Sequence, residues 1–234
     1  MTLSRRGALR ASLLGGAGAA AATAAPGAAL ADPVPTVPPG SVDARRALRL
    51  LRWGNRRWRH HASLHPHEGR ARRAALVDGQ YPFATVLGCA DSRVPPELVF
   101  DQGLGDLFTI RSAGEVLDQS VLGSVSYAAE HLEVPLIVVL GHSSCGAVTA
   151  AVEAYRSGEV PPGHIGYLVE RILPVVESTP EDGDDFVDDC VRANARHVAE
   201  KLREDPDLRD RVDSGLLDVV AARYDLEDSR VTWL

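Results

Sequence analysis

The chain has 234 residues, of which 45% are hydrophobic and 24% charged, and a formal charge of -7. That length holds one large domain with appendages, the composition is ordinary for a soluble globular protein, and the acidic balance gives no basis for nucleic-acid binding. Three cysteines, an odd number in a chain this long, argue against a disulfide framework.

Residues 1–31 read as an export segment outside the fold. Ser4-Arg5-Arg6-Gly7-Ala8-Leu9 carries paired arginines, an Ala/Gly/Leu run follows from Ala11 to Ala25, and Ala29-Leu30-Ala31 gives a small-x-small cleavage pattern before Asp32. This resembles a twin-arginine (Tat) signal peptide and predicts a secreted, periplasmic or cell-envelope protein. Gly, Thr and Pro interrupt the run too often for a spanning helix, and no other segment qualifies, so no stable membrane span is expected. Residues 32–40 hold four prolines and read as an extended linker. The folded domain is expected over 41–234.

Ser41 is placed to cap a helix whose apolar positions Val42, Leu48, Leu51 and Trp58 lie among arginines. Gly54-Asn55 weakens it, leaving one helix with a soft spot or two short ones. The Arg- and His-rich stretch from Arg45 to Arg73 reads as a solvated helix face rather than a binding patch. A second helix is expected over His67 to Val77, then a strand from Phe83 to Leu87, with Pro95-Pro96 closing the segment behind it. A strand over Asp106 to Arg111, a helix over Ser120 to Leu132, a strand over Pro135 to Leu140 and a helix over Ala147 to Tyr155 follow. The chain is then largely helical and acidic to about Leu208, with a loop at Thr179 to Asp185 and Cys190 as a half-buried small apolar residue. Gly215 to Arg223 and Arg230 to Trp233 read as the last strands. This order predicts an α/β fold, a central sheet with parallel core strands flanked by helices.

Two segments carry the chemistry: Cys89-Ala90-Asp91-Ser92-Arg93 and His142-Ser143-Ser144-Cys145-Gly146, each just past the carboxyl end of an expected strand, where such sheets bind ligands. Their two thiols, imidazole and carboxylate are groups that zinc accepts. The cysteines are 56 positions apart, which excludes a local zinc finger. Cys89, His142 and Cys145 would fill three positions and leave the fourth for water or Asp91, the pattern of catalytic rather than structural zinc. Cys145 at a helix start gains thiolate character from the helix dipole, and Arg93 can hold Asp91 through a bidentate bond.

Gly88-Cys89-Ala90-Asp91-Ser92-Arg93-Val94 and Gly141-His142-Ser143-Ser144-Cys145-Gly146 resemble the two signatures of β-class carbonic anhydrases. The likeness runs from about Asp43 to Leu234 and includes Gly54-Asn55-Arg56-Arg57-Trp58, Gly79-Gln80 and Asp101-Gln102-Gly103-Leu104-Gly105-Asp106. The resemblance implies a lyase that hydrates carbon dioxide reversibly to bicarbonate and a proton. One zinc ion per subunit would be held by Cys89, His142 and Cys145, with zinc-bound hydroxide oriented by an Asp91–Arg93 dyad. It further implies that Gln80 donates to substrate or bicarbonate, that Gly146 leaves room for substrate, and that Phe108 belongs to an apolar wall. In a closed state Asp91 would leave Arg93 and become the fourth ligand. A homodimer or higher homo-oligomer is implied. His60, His61, His65 and His67 are proton-shuttle candidates by chemistry alone. Two other readings share the site: hydrolysis of carbonyl sulfide or carbon disulfide, and a non-catalytic zinc- or bicarbonate-binding domain.

Overall fold

The computed structural model describes residues 42–234; the export segment and linker expected at 1–31 and 32–40 lie outside the described residues. Five strands form one sheet: β1 (Ala84–Gly88), β2 (Leu107–Arg111), β3 (Leu136–His142), β4 (Asp218–Tyr224) and β5 (Val231–Trp233). Their spatial order is β2-β1-β3-β4-β5; the first four run parallel and β5 pairs antiparallel with β4. The architecture expected from the sequence is therefore the one observed.

β1 and β3 are buried along their whole lengths, because helices cover both faces of a parallel sheet and leave no side for polar residues. Alternation sorts their side chains. Ala84, Val86, Leu136, Val138 and Leu140 face one core with Ala47 and Leu51 of α1 (Ala44–Arg59) and with Phe100. Leu87, Ile137 and Val139 face another. There they meet Val121 and Val125 of α4 (Gln119–Glu130) and Ala195, Val198 and Leu202 of α7 (Phe186–Glu204). A third core lies under α5 (Gly146–Ser157) and α6 (Gly163–Ser178).

Several local expectations change. The cap of α1 is Asp43, whose Oδ1 accepts from Arg46 N at 2.7 Å; Ser41 lies outside the described residues. The second helix shortens to α2 (Arg70–Ala75), which buries no residue and so lacks the tertiary packing that extends a helix. A short α3 (Pro96–Val99) starts at the proline expected to end structure, since proline suits the first helical turn. Part of the arginine-rich stretch is bound within the chain: Arg57 pairs with buried Asp101, and Arg72 Nη2 lies 3.2 Å from Asp106. Cys190 is fully rather than half buried, in the third core.

The weak point of the first helix is where it docks. α1 is continuous, and Gly54 and Asn55 are both buried. Asn55 Nδ2 donates to Val99 O at 3.1 Å and Ser229 O at 3.0 Å, and its Oδ1 accepts from Val231 N at 3.0 Å. One amide thus ties α1 to α3 and to the entry of β5. A Cβ on Gly54 would lie 1.6 Å from Phe100 O. Gly54→Ala, normally favourable in a helix by about 1 kcal/mol, is here expected to destabilise by about 2 kcal/mol or more through overpacking. A lowered urea midpoint checks this; a raised one contradicts it.

Candidate metal centre

The chain runs from β1 outward to β2, then crosses back to β3 on the other side of β1. Such a reversal opens a crevice at the carboxyl ends of the two diverging strands. Gly88 pairs with Leu140 in register, so Cys89, one residue past β1, and His142, the last residue of β3, flank that crevice. Ser144 then turns the chain at φ 54°, which brings Cys145 back as the N-cap of α5. The turn is anchored by Ser143, whose N–H donates to Tyr224 O at 2.9 Å and whose Oγ accepts from Leu226 N at 2.9 Å.

These elements converge on one point. The two sulfurs are 3.9 Å apart, and the ligand atoms of Cys89, His142 and Cys145 all lie within 4.8 Å of one another, with all three residues buried. His142 is completely buried, and its Nδ1 lies 2.9 Å from Ser143 O. A carbonyl only accepts, so Nδ1 carries the hydrogen and Nε2 keeps its lone pair. That Nε2 has no hydrogen-bond partner. A buried acceptor without a partner is costly, and one aimed at two sulfurs is placed for a cation. Imidazole plus two thiolates is a borderline-soft set that suits zinc.

The electrostatics agree. A hydrogen shared with the Cys145 sulfur, together with the Gly114 N–H, brings the Cys89 thiol down to about 4 against the opposing effect of burial. The same shared hydrogen, then burial, pushes Cys145 far up. The pair shares one proton, which a cation between the sulfurs would displace.

Asp91 stands beside this cluster, its Oδ2 3.9 Å from His142 Nε2. Arg93 holds it in a fork, Nη2 to Oδ2 at 2.6 Å and Nε to Oδ1 at 2.9 Å, and the Arg93 main-chain N–H adds a 2.8 Å bond to Oδ1. The guanidinium, more than any other group, holds the Asp91 carboxyl down to about 2. Arg93 Nη2 also reaches Ser144 O at 3.2 Å, linking the two motifs. Arg111 braces the first motif from below: its Nε donates to Cys89 O at 2.9 Å and its Nη2 to Asp91 O.

A profile of the carbonic anhydrase family matches residues 84–231. Carbonic anhydrase 2 of Mycobacterium tuberculosis is 44% identical over 185 residues, covering 79% of this chain and 89% of the relative. A carbonic anhydrase of Mycolicibacterium smegmatis is 44% identical over 189 residues, covering 79% and 90%. Among solved structures, the β-carbonic anhydrase CcaA superposes with a TM-score of 0.62 at 25% identity, covering 80% of this chain and 94% of that one. A Sordaria macrospora β-carbonic anhydrase, described as tetrameric, gives 0.64 at 24%, covering 77% and 92%.

This chain belongs to the β-class carbonic anhydrases. As a carbonic anhydrase, it gathers the three expected ligand side chains and the Asp91–Arg93 pair within one subunit. A Cβ on Gly146 would meet nothing within 4 Å, so the space in front of Cys145 is open. Gln80 and Phe108 lie elsewhere. Gln80 is exposed and precedes β1, at the end of that strand opposite to Cys89. Phe108 pairs in register with Thr85, four residues before Cys89, or roughly 13 Å along a strand, and its ring lies 6.1 Å from that of Tyr127. His67 Nδ1 is bound to Asp106 at 2.6 Å, just ahead of β2 at the same far end. His60, His61 and His65 are exposed in the segment after α1.

Sequence reasoning missed Arg111, Gly114 and Asn194. All three are tied to the turn or loop beyond β2 or β1. The available signal was position: Ser112-Ala113-Gly114-Glu115 follows the carboxyl end of a third parallel strand, the end at which such sheets place their ligands.

Proposed function

We propose that this enzyme hydrates carbon dioxide reversibly to bicarbonate and a proton on one zinc ion per subunit, held by Cys89, His142 and Cys145. The observation that carries this reading is the partnerless His142 Nε2 beside two sulfurs 3.9 Å apart, with Asp91 engaged by Arg93. Bound there, zinc would acidify a water and supply a nucleophile near neutral pH. Asp91, ionised throughout the working range, offers only acceptors and fixes the direction of that nucleophile toward the substrate carbon. Arg93, which grips Asp91 in a fork, would keep that carboxylate from taking the fourth position itself. Gly146 keeps the approach free of side-chain bulk. Stopped-flow hydration on zinc-loaded protein between about pH 6 and 9 should exceed buffer alone; no excess at any pH would overturn this reading.

Gln80 and Phe108 retain their proposed substrate roles through assembly. Within one chain they sit at the far end of the strands, so a second copy must present them. Trp53, Leu64, Val77, Tyr81, Leu98 and Leu104 are exposed, Tyr81 being next in sequence to Gln80, and apolar side chains of this size favour burial in an interface. The reading is therefore a homodimer or larger homo-oligomer, as the Sordaria relatives are tetrameric. We also propose export through the paired-arginine segment; N-terminal sequencing of extracellular material should begin at Asp32, and an intact Met1 on cytoplasmic protein only would contradict it. Among the described residues no helix is long and apolar enough to cross a membrane.

A further inference from the structure

We propose that Asn194 is a positioning residue for the metal centre, fixing the Gly114 amide as a hydrogen-bond donor to the Cys89 thiolate. The inference rests on the metal-site reading above and concerns a residue that touches neither ligand nor substrate.

Gly114 N lies 3.4 Å from Cys89 Sγ, and Asn194 Nδ2 donates to Gly114 O at 2.9 Å. Gly114 is thus held at both of its backbone polar atoms, one by a ligand sulfur and the other by an amide from a helix 80 positions away. Its conformation does not hold itself. Gly114 has φ 64° and Glu115 φ 55°, two successive left-handed residues, the second of them without glycine's freedom. A Cβ at Gly114 would stand 2.7 Å from Ile172 Cδ1 and 3.0 Å from Ala147 Cβ, so the turn is pressed directly against α5 and α6. Asn194 is 2% exposed, and Glu115, the next residue of the turn, is buried as well. A buried amide spent on one strained turn is explained if that turn must stay in register with the sulfur.

The chemical consequence is direct. An N–H donated to a ligating thiolate withdraws electron density from the sulfur. The sulfur then donates less to the metal, and the metal polarises its remaining ligand more strongly. Groups behind the ligands of this kind typically change metal affinity or activity by about 10- to 100-fold. Arg111 positions the Cys89 carbonyl; Asn194 governs the charge on the Cys89 sulfur.

The test uses the full chain loaded with cobalt(II), whose sulfur-to-metal charge-transfer absorption reports sulfur electron density. Asn194→Asp keeps the volume and removes the amide donor; Asn194→Ala removes both. Relative to the parent, both variants should move the charge-transfer band to longer wavelength and change zinc affinity in a chelator competition by about 10-fold. Their pH midpoint of hydration should rise. A merely structural asparagine would lower the unfolding midpoint without moving the band. Should the variants not fold, the parent loaded with cadmium-113 decides the matter: a scalar coupling between the metal and the Gly114 amide proton supports the proposal, and its absence overturns it. Folded variants with the parent's band and affinity also overturn it. If the parent itself binds no cobalt, the metal-site reading fails, which is a different result.

Discussion

His142→Ala is expected to abolish metal retention and, with it, carbon dioxide hydration. The substitution removes one of three ligands and leaves two sulfurs 3.9 Å apart that cannot by themselves fill a tetrahedral site. Zinc affinity should fall at least about 100-fold, beyond what loss of a group behind a ligand costs. Stability gives an independent readout. A ion bound only by the folded state stabilises it by mass action, about 2.7 kcal/mol at a free concentration 100 times the dissociation constant. Added zinc should therefore raise the unfolding midpoint of the parent and leave that of His142→Ala unchanged. Equal zinc-dependent stabilisation of both proteins would remove His142 from the site.

Asp91→Asn should separate metal binding from turnover. The amide preserves shape but loses the charge that Arg93 grips in a fork, so the acceptor facing His142 Nε2 is no longer fixed. Misplacing a group that aligns a reacting atom costs about 100-fold, and hydration is expected to fall by that order while zinc content stays at one per chain. The pH dependence follows from the same pair. Arg93 depresses the Asp91 carboxyl to about 2, so its contribution to folding is complete above the ordinary aspartate range near 4 and is lost only as pH falls through about 2. Between pH 6 and 9 Asp91 stays ionised, so on the proposed reading a change of the parent's rate in that window would belong to the activated water. A parent profile that disappears in Asp91→Asn while zinc remains bound would assign the titration to Asp91 and contradict this division of roles.

The core strands and both motifs were legible in the sequence for one physical reason. Strands covered on both faces read as unbroken apolar runs, and Phe83 to Leu87 and Pro135 to Leu140 differ from the observed β1 and β3 by no more than two residues at either end. Ligand chemistry then stood out at their carboxyl ends. What could not be read depends on partners distant in sequence. Glu115 adopts a left-handed conformation and is buried with its carboxyl group beside the Cys89 site, against every local preference of glutamate. Its turn is held by packing against α5 and α6, by the Asn194 bond to Gly114 O, and by its own N–H on Ser112 O. Asn55 likewise reads as a helix weakener and proves to be a three-bond junction, because its partners lie 44 and more positions away. Gln80 and Phe108 were expected at the substrate from the family resemblance, yet the fold of one chain sets them at the end of the sheet away from the sulfurs.

The most direct test of the metal centre is zinc X-ray absorption on the purified, metal-loaded protein near pH 8. The account predicts two sulfur scatterers at about 2.3 Å and two nitrogen or oxygen scatterers at about 2.0–2.1 Å, with the sulfur shell halved in Cys145→Ser. A first shell made only of nitrogen and oxygen, or one that Cys145→Ser leaves unchanged, would contradict it.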